Sequence, residues 1–267
     1  MQLNKLSMLQ QGVYIQKMTP QIKLQKLANL LRPVKTQFEL QRYGGDSDGG
    51  YLLPDDLEGI NTCFSPGVDV IASFELDIQN RKGIESHLAD YSVEGPPMGL
   101  TPKSFVKKYI GAYDSEVYTT MDTWVRGTDD FQSGQDMLLQ MDIEGGEYLS
   151  LLGLSEEVLK RFRIMVIEIH AVEGWGDPRF FQMASTLFEK ISRHFWVVHH
   201  HPNNAAGLVN LGGFIAPRVF ELTFLRKDRA SPLSYCDQFP HPLDRPNITA
   251  RENLVLPKNW FGDQPID

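Results

Sequence analysis

Cysteine is scarce in this chain. Of 267 residues only Cys63 and Cys236 carry a thiol, too few for the disulfide framework of a secreted scaffold, which points to a reducing compartment such as the cytoplasm. A chain this long buries roughly three quarters of the surface it exposes when unfolded, so its core holds it without covalent staples. Long apolar runs are also missing. Phe162 to Ile169 is too short, and Leu208 to Phe220 too interrupted, to match the ~20 residues of a bilayer span. The N-terminus has Lys5 but no continuous apolar segment and no small-residue cleavage site, so no signal peptide is expected. No basic block is present either. Asp and Glu number 34 against 26 Lys and Arg, a net charge of −8, and without clustered cations to displace counterions from phosphates, nucleic acid is not an expected partner.

What is there is ordinary globular usage, 42% hydrophobic and 22% charged with 22 Gly and 16 Pro, which sets aside disordered, collagen-like and coiled-coil classes. Residues 1–42 read as an N-terminal helical extension, 43–230 as the main α/β unit, and 231–267 as an irregular, proline-rich tail packed on it. In the extension, Thr19 as N-cap and Pro20 at the first helical position introduce Leu24, Leu27, Ala28 and Leu31 at helical spacing, until Pro33 forbids continuation. That apolar face is expected to pack on the main unit, with a homodimer contact as the alternative. From Thr62 onward short apolar runs alternate with amphipathic stretches, the pattern of βα units. Strands are expected at 62–65, 85–91, 137–143, 163–169, 196–199 and 218–225, while 105–110 and 116–124 read as short strands or helix, with strands favoured. Helices are expected from Ile71 through Phe74 and Ile78 to a Gly83 C-cap, after Ser155 with Glu156 and Glu157 in the first turn, and over 180–195. The fold class is a doubly wound, mostly parallel α/β sheet with an antiparallel strand near its end.

In such sheets ligands bind outside the carboxyl ends of the strands, so strand exits are the places to interrogate. Ser65-Pro66-Gly67 is a glycine turn between strand and helix that lets a ligand approach the backbone. Asp90 closes the next strand at the offset where an acid accepts hydrogen bonds from ribose hydroxyls. The run Asp142-Ile143-Glu144-Gly145-Gly146-Glu147 places carboxylates at an exit, suited to a metal, a proton acceptor or a cationic ligand group, with Glu147 also reading as a helix-start acid. Glu168 and His170 share one side of the neighbouring strand, and Asp142, Glu168 and His170 are the candidate ligands for a divalent cation such as Mg2+. His199-His200-His201-Pro202-Asn203 reads as a further exit, with His199 and His201 on one face, suited to a divalent ion or, with Asn203, to polar lining of a substrate pocket. The glycine-rich segment around Asp48 and Gly49 reads as a lid, a cofactor-contacting loop or a plain turn.

These residues carry a resemblance. Cys63-Phe64-Ser65-Pro66-Gly67-Val68, Asp48-Gly49-Gly50-Tyr51 and above all Met141-Asp142-Ile143-Glu144-Gly145-Gly146-Glu147-Tyr148 resemble the FkbM-type methyltransferases and their methyltransferase-like relatives, of the class I S-adenosylmethionine-dependent fold, from about Tyr43 to Asp228. The resemblance implies O-methyl transfer to a hydroxyl of a small polar acceptor, a sugar, glycan or nucleotide-sugar. It implies donor contacts at Ser65, Gly67, Asp48, Gly49 and Glu144, ribose binding at Asp90, and Asp142 with Glu144 between donor and acceptor. His170 or Asp142 is the candidate base. Two other readings stay open: a metal-dependent hydrolase using Asp142, His170, His199 and His201, and a non-catalytic relative that keeps the fold for binding.

Overall fold

The computed structural model describes residues 2–68 and 71–261; residues 262–267 of the expected tail lie outside the described residues. Seven strands, numbered in chain order, make the central sheet: β1 Thr62–Pro66, β2 Glu85–Ala89, β3 Ser104–Val106, β4 Met137–Met141, β5 Phe162–Ile169, β6 Phe195–Pro202 and β7 Phe220–Arg226. Across the sheet they run β3-β2-β1-β4-β5-β7-β6. Only β7 is antiparallel to its neighbours. This is the expected doubly wound α/β class, and the chain order reverses between β1 and β4.

The strands read as nearly continuous apolar text because both faces of the sheet are covered. Successive side chains point to opposite faces. On one face Leu139, Met141, Ile167 and Ile169 join the core built with the helices Glu147–Gly153 and Pro178–Ser192. On the other, Cys63, Leu138, Ile164 and Val166 pack with Phe74 and Ile78 of the helix Ser73–Lys82 and with Tyr43 and Tyr51 of the antiparallel hairpin Leu40–Gly44/Gly50–Pro54. The helix Ser73–Lys82 stops where Gly83 takes the left-handed φ of 69°, a conformation that favours glycine. Ile71, expected on its buried face, precedes the helix and is exposed.

Local chemistry moved several boundaries. The helix Pro178–Ser192 starts before Phe180 because Asp177 caps it, its carboxylate accepting from the backbone N–H of Arg179 (2.7 Å) and Phe180 (3.3 Å), with proline at the first position. The segment 116–124 is a short strand Tyr118–Thr119, paired with Tyr109–Ile110, and then the helix Met121–Arg126, capped by the Thr120 hydroxyl. In the N-terminal extension the helix Gln21–Leu30 buries Leu24, Leu27 and Ala28. It packs on the helix Pro178–Ser192 and on the turn around Trp260, so its apolar face is used within the chain. Thr19 does not cap it; its hydroxyl donates to the Gly176 carbonyl (3.3 Å). Cys63 and Cys236 are both free thiols. Among the described residues no helix is long and apolar enough to cross a membrane.

Candidate functional site

A cleft of about 660 Å³ opens at the carboxyl ends of β1, β2 and β4, where the sheet order reverses and ligands of doubly wound folds bind. Gly67 and Val68 enter it from the β1 exit, Asp90 and Ser92 from the β2 exit, and Asp142, Ile143 and Glu144 from the β4 exit. Tyr109, Ile110 and Tyr118 supply an apolar and aromatic wall, the Tyr109 and Tyr118 rings lying 5.7 Å apart. Asp48 completes the lining, and among the described residues no basic side chain is part of it.

Each position has a local cause. Gly67 has φ 86°, and a β-carbon there would fall 1.5 Å from the Asp142 carbonyl oxygen. Asp90 uses Oδ1 to accept from the backbone N–H and hydroxyl of Ser92, both at 2.6 Å, an Asx turn that fixes the side chain through one carboxylate oxygen. Asp48 sits in the hairpin turn and accepts from the Asn247 side-chain amide (3.0 Å). That turn is no free lid: the Arg42 guanidinium donates to the carbonyls of Gly45 (2.9 Å) and Ser47 (3.0 Å). Glu144 adopts a left-handed φ of 53° and is 86% exposed at the rim.

Two expected donor contacts lie elsewhere. The Ser65 hydroxyl is fully buried beneath the cleft, hydrogen-bonded to Glu75 and to Gln140 Oε1 (2.6 Å). Gly49 faces the helix start, its carbonyl accepting from the Ser73 hydroxyl (3.1 Å).

Because β4 and β5 are parallel neighbours, their exits bring Asp142, Glu168 and His170 together, with one ligating atom of each within 4.8 Å of the others. Glu168 is buried, accepts from the Asn203 side-chain amide (2.7 Å) and stands opposite Glu221 of β7. His170 Nδ1 lies 2.9 Å from Glu147 Oε1, and that same oxygen accepts the backbone N–H of Gly145 (3.1 Å). Glu147 thus begins its helix as expected, yet its side chain turns inward and is fully buried. His170 Nε2 faces Asp142 (3.7 Å) and Glu144 (3.5 Å).

The electrostatics follow from burial and crowding. Loss of hydration, more than the nearby Glu144 and Glu147, lifts the Asp142 carboxyl to about 6, although a hydrogen bond with Glu168 and the charge of His170 oppose it. Burial, then Asp142 and Glu221, raises Glu168 well above the usual carboxylate range. Burial pulls His170 down, but Glu147, Asp142 and Glu144 outweigh it and raise it above an ordinary histidine.

The histidine run is not an exit. β6 continues through Pro202, and His199, His200 and His201 are all buried within it. β7 lies between β6 and β5, so His199 and His201 do not join Asp142 and His170 around one ion, which removes the ligand set of the hydrolase reading. Nor do they or Asn203 line the cleft. They fasten the C-terminal tail and the sheet: His199 Nε2 pairs with Asp244 (2.9 Å), His201 with Glu221 (3.4 Å) and Asn253 (3.2 Å), and Asn203 with Glu168. Sequence reasoning missed Tyr109, Ile110 and Tyr118, because two-residue strands carry too little periodicity to place a wall.

The fold and the cleft together define a doubly wound α/β protein with an acidic cleft at the switch point of its sheet. Residues 71–194 match the family model described as the Methyltransferase FkbM domain, which bears out the resemblance seen in the sequence; this methyltransferase match takes in Asp90, Asp142, Glu144, Glu168 and His170. Among solved structures the chain is similar to a variant of the 16S rRNA (adenine(1408)-N(1))-methyltransferase from Catenulisporales acidiphilia, at 11% identity and a TM-score of 0.31, covering 72% of this chain and 98% of that one. No curated protein matches the chain significantly.

Proposed function

We propose that the chain is an S-adenosylmethionine-dependent O-methyltransferase acting on a hydroxyl of a small polar acceptor. The observation that carries this reading is that Gly67, Asp90 and Asp142, from three separate strand exits, line one cleft where the sheet order reverses. The residues present fit the donor. Among the described residues four carboxylates, Asp48, Asp90, Asp142 and Glu144, line the cleft and no basic side chain does, which suits a sulfonium cation, and the cleft's volume falls in the range of small-molecule sites.

When bound, S-adenosylmethionine supplies an electrophilic methyl group. Asp90 would hold the ribose hydroxyls through Oδ2, the Gly67 turn would face the methionine part, and Tyr109, Ile110 and Tyr118 would cover the adenine. Asp142, inside the cleft, would receive the acceptor hydroxyl's hydrogen bond and its proton. His170, anchored by Glu147 behind it, would orient that carboxylate. Positioning supplies most of the rate in such a transfer, with proton removal adding to it. The acidic lining repels a diphosphate, which favours an uncharged sugar or glycan hydroxyl over a nucleotide-sugar. Incubation with donor labelled at the methyl group and a panel of neutral glycosides tests the reading. Label on an acceptor oxygen with stoichiometric S-adenosylhomocysteine supports it; label retained on the donor across the panel, together with no donor binding, refutes it.

A further inference from the structure

We infer that Asp142, Glu168 and His170 form a site for one divalent cation at the inner wall of the cleft. Their ligating atoms lie within 4.8 Å of one another. Metal–ligand bonds of about 2.1 Å put neighbouring ligands about 3 Å apart and opposite ones about 4.2 Å apart, so three atoms within 4.8 Å of one another need shift only by some tenths of an ångström to close on a single ion.

Three further observations point the same way. Asp142 Oδ1 is buried, makes no hydrogen bond and stands 3.7 Å from His170 Nε2, a gap the two atoms could share as ligands. The ligands are oriented from behind: Glu147 engages His170 Nδ1 and leaves Nε2 toward Asp142, while Asn203 holds Glu168. Carboxylate-to-imidazole and amide-to-carboxylate contacts of this kind are how metal ligands are fixed in place. Finally, Asp142, Glu144, Glu147, Glu168 and Glu221 crowd one region, where His170 and His201 pair with members of the group and the Arg42 guanidinium acts on Glu221; five carboxylates outnumber these cations. A divalent cation relieves that excess of negative charge.

Two carboxylates and an imidazole favour Mn2+ or Zn2+ over Mg2+, since imidazole nitrogen suits transition-series ions better than the hard alkaline-earth ions. Asp142 lines the cleft, so the ion would face it. Its role there rests on the methyl-transfer reading: it would withdraw charge from an acceptor hydroxyl and ease loss of the proton. Its binding rests on the three side chains alone.

The test is titration of Mn2+ into chelator-treated protein without donor, followed by the loss of the free-ion signal in electron paramagnetic resonance and by calorimetry. One equivalent should bind, and Glu168→Gln and His170→Gln should each weaken binding at least tenfold. No uptake at millimolar Mn2+, or wild-type affinity in either folded variant, overturns the site; should one variant fail to fold, the other decides. Calorimetry of S-adenosylmethionine on the metal-free protein separates the two ideas. Donor binding without Mn2+ uptake sinks the ion and leaves the function, whereas Mn2+ uptake without donor binding supports the ion and sinks the function.

Discussion

Gly67 and Asp142 meet backbone to backbone: a β-carbon on Gly67 would stand 1.5 Å from the Asp142 carbonyl oxygen, and Gly67 also holds a φ of 86°. The β1 turn and the β4 exit can approach this closely only through glycine. Gly67→Ala should therefore destabilise the protein by at least about 2 kcal/mol, combining an unfavourable φ with an overlap against fixed backbone. Urea unfolding of the two proteins measures it, and equal midpoints would show that the turn relaxes freely.

Removing the carboxylate charge at Asp142 tests proton removal. Asp142→Asn keeps the shape of the side chain, and turnover should fall by about 10²–10⁴-fold, the usual worth of general-base assistance. His170→Gln, acting through Asp142 and Glu144 at 3.7 and 3.5 Å, should lower kcat with donor affinity nearly constant. Near-normal turnover in both variants would move proton removal to solvent.

The sheet was legible in the sequence because β4 and β5 are buried on every residue, which writes them as runs apolar at all but Gln140, Arg163 and Glu168. The exits were legible because Gly67, Asp90 and Asp142 are the first residues after β1, β2 and β4. The histidine run was misread because Pro202 looks like the end of a strand. β6 is an edge strand, where a missing N–H costs little, so pairing continues through His201 and Pro202 opposite Glu221 and Phe220. The segment 116–124 reads as strand or helix because its aromatic and β-branched residues suit both; it divides into the strand Tyr118–Thr119 and a helix that the Thr120 cap, accepting from the Thr123 N–H, begins. The partners of Ser65, Glu75 and Gln140, come from the following helix and from β4, and no local pattern announces them.

That edge strand gives the tail a pH dependence. Burial lowers the pKa of His201, but Glu221, with Asp244 and Asn253, overrides it and pushes it up to about 9. A raised folded-state value contributes stability that is complete below the unfolded value of about 6.5 and is lost as pH rises through the folded one. Unfolding midpoints should therefore fall between about pH 6 and about pH 9.5, by at most about 3 kcal/mol in free energy, and His201→Gln should remove most of that slope. An unchanged slope in the variant would assign the effect to other groups.

The aromatic wall offers an independent handle on the donor. Tyr118 lies in the cleft beside Tyr109, and base stacking on an aromatic ring is worth about 1–3 kcal/mol. Tyr118→Ala should weaken donor binding roughly tenfold or more. Unaltered affinity would place the adenine elsewhere.

The central claim is that this cleft holds S-adenosylmethionine, and calorimetric titration of the donor into wild-type protein and Asp90→Asn tests it most directly. The asparagine keeps an acceptor for the Ser92 contacts while removing the charge that strengthens ribose hydrogen bonds by about 1.5–3 kcal/mol. The account predicts one site in the wild type and an affinity about tenfold to a hundredfold weaker in the variant. Absence of binding to the wild type, or equal affinity in a folded Asp90→Asn protein, would contradict it.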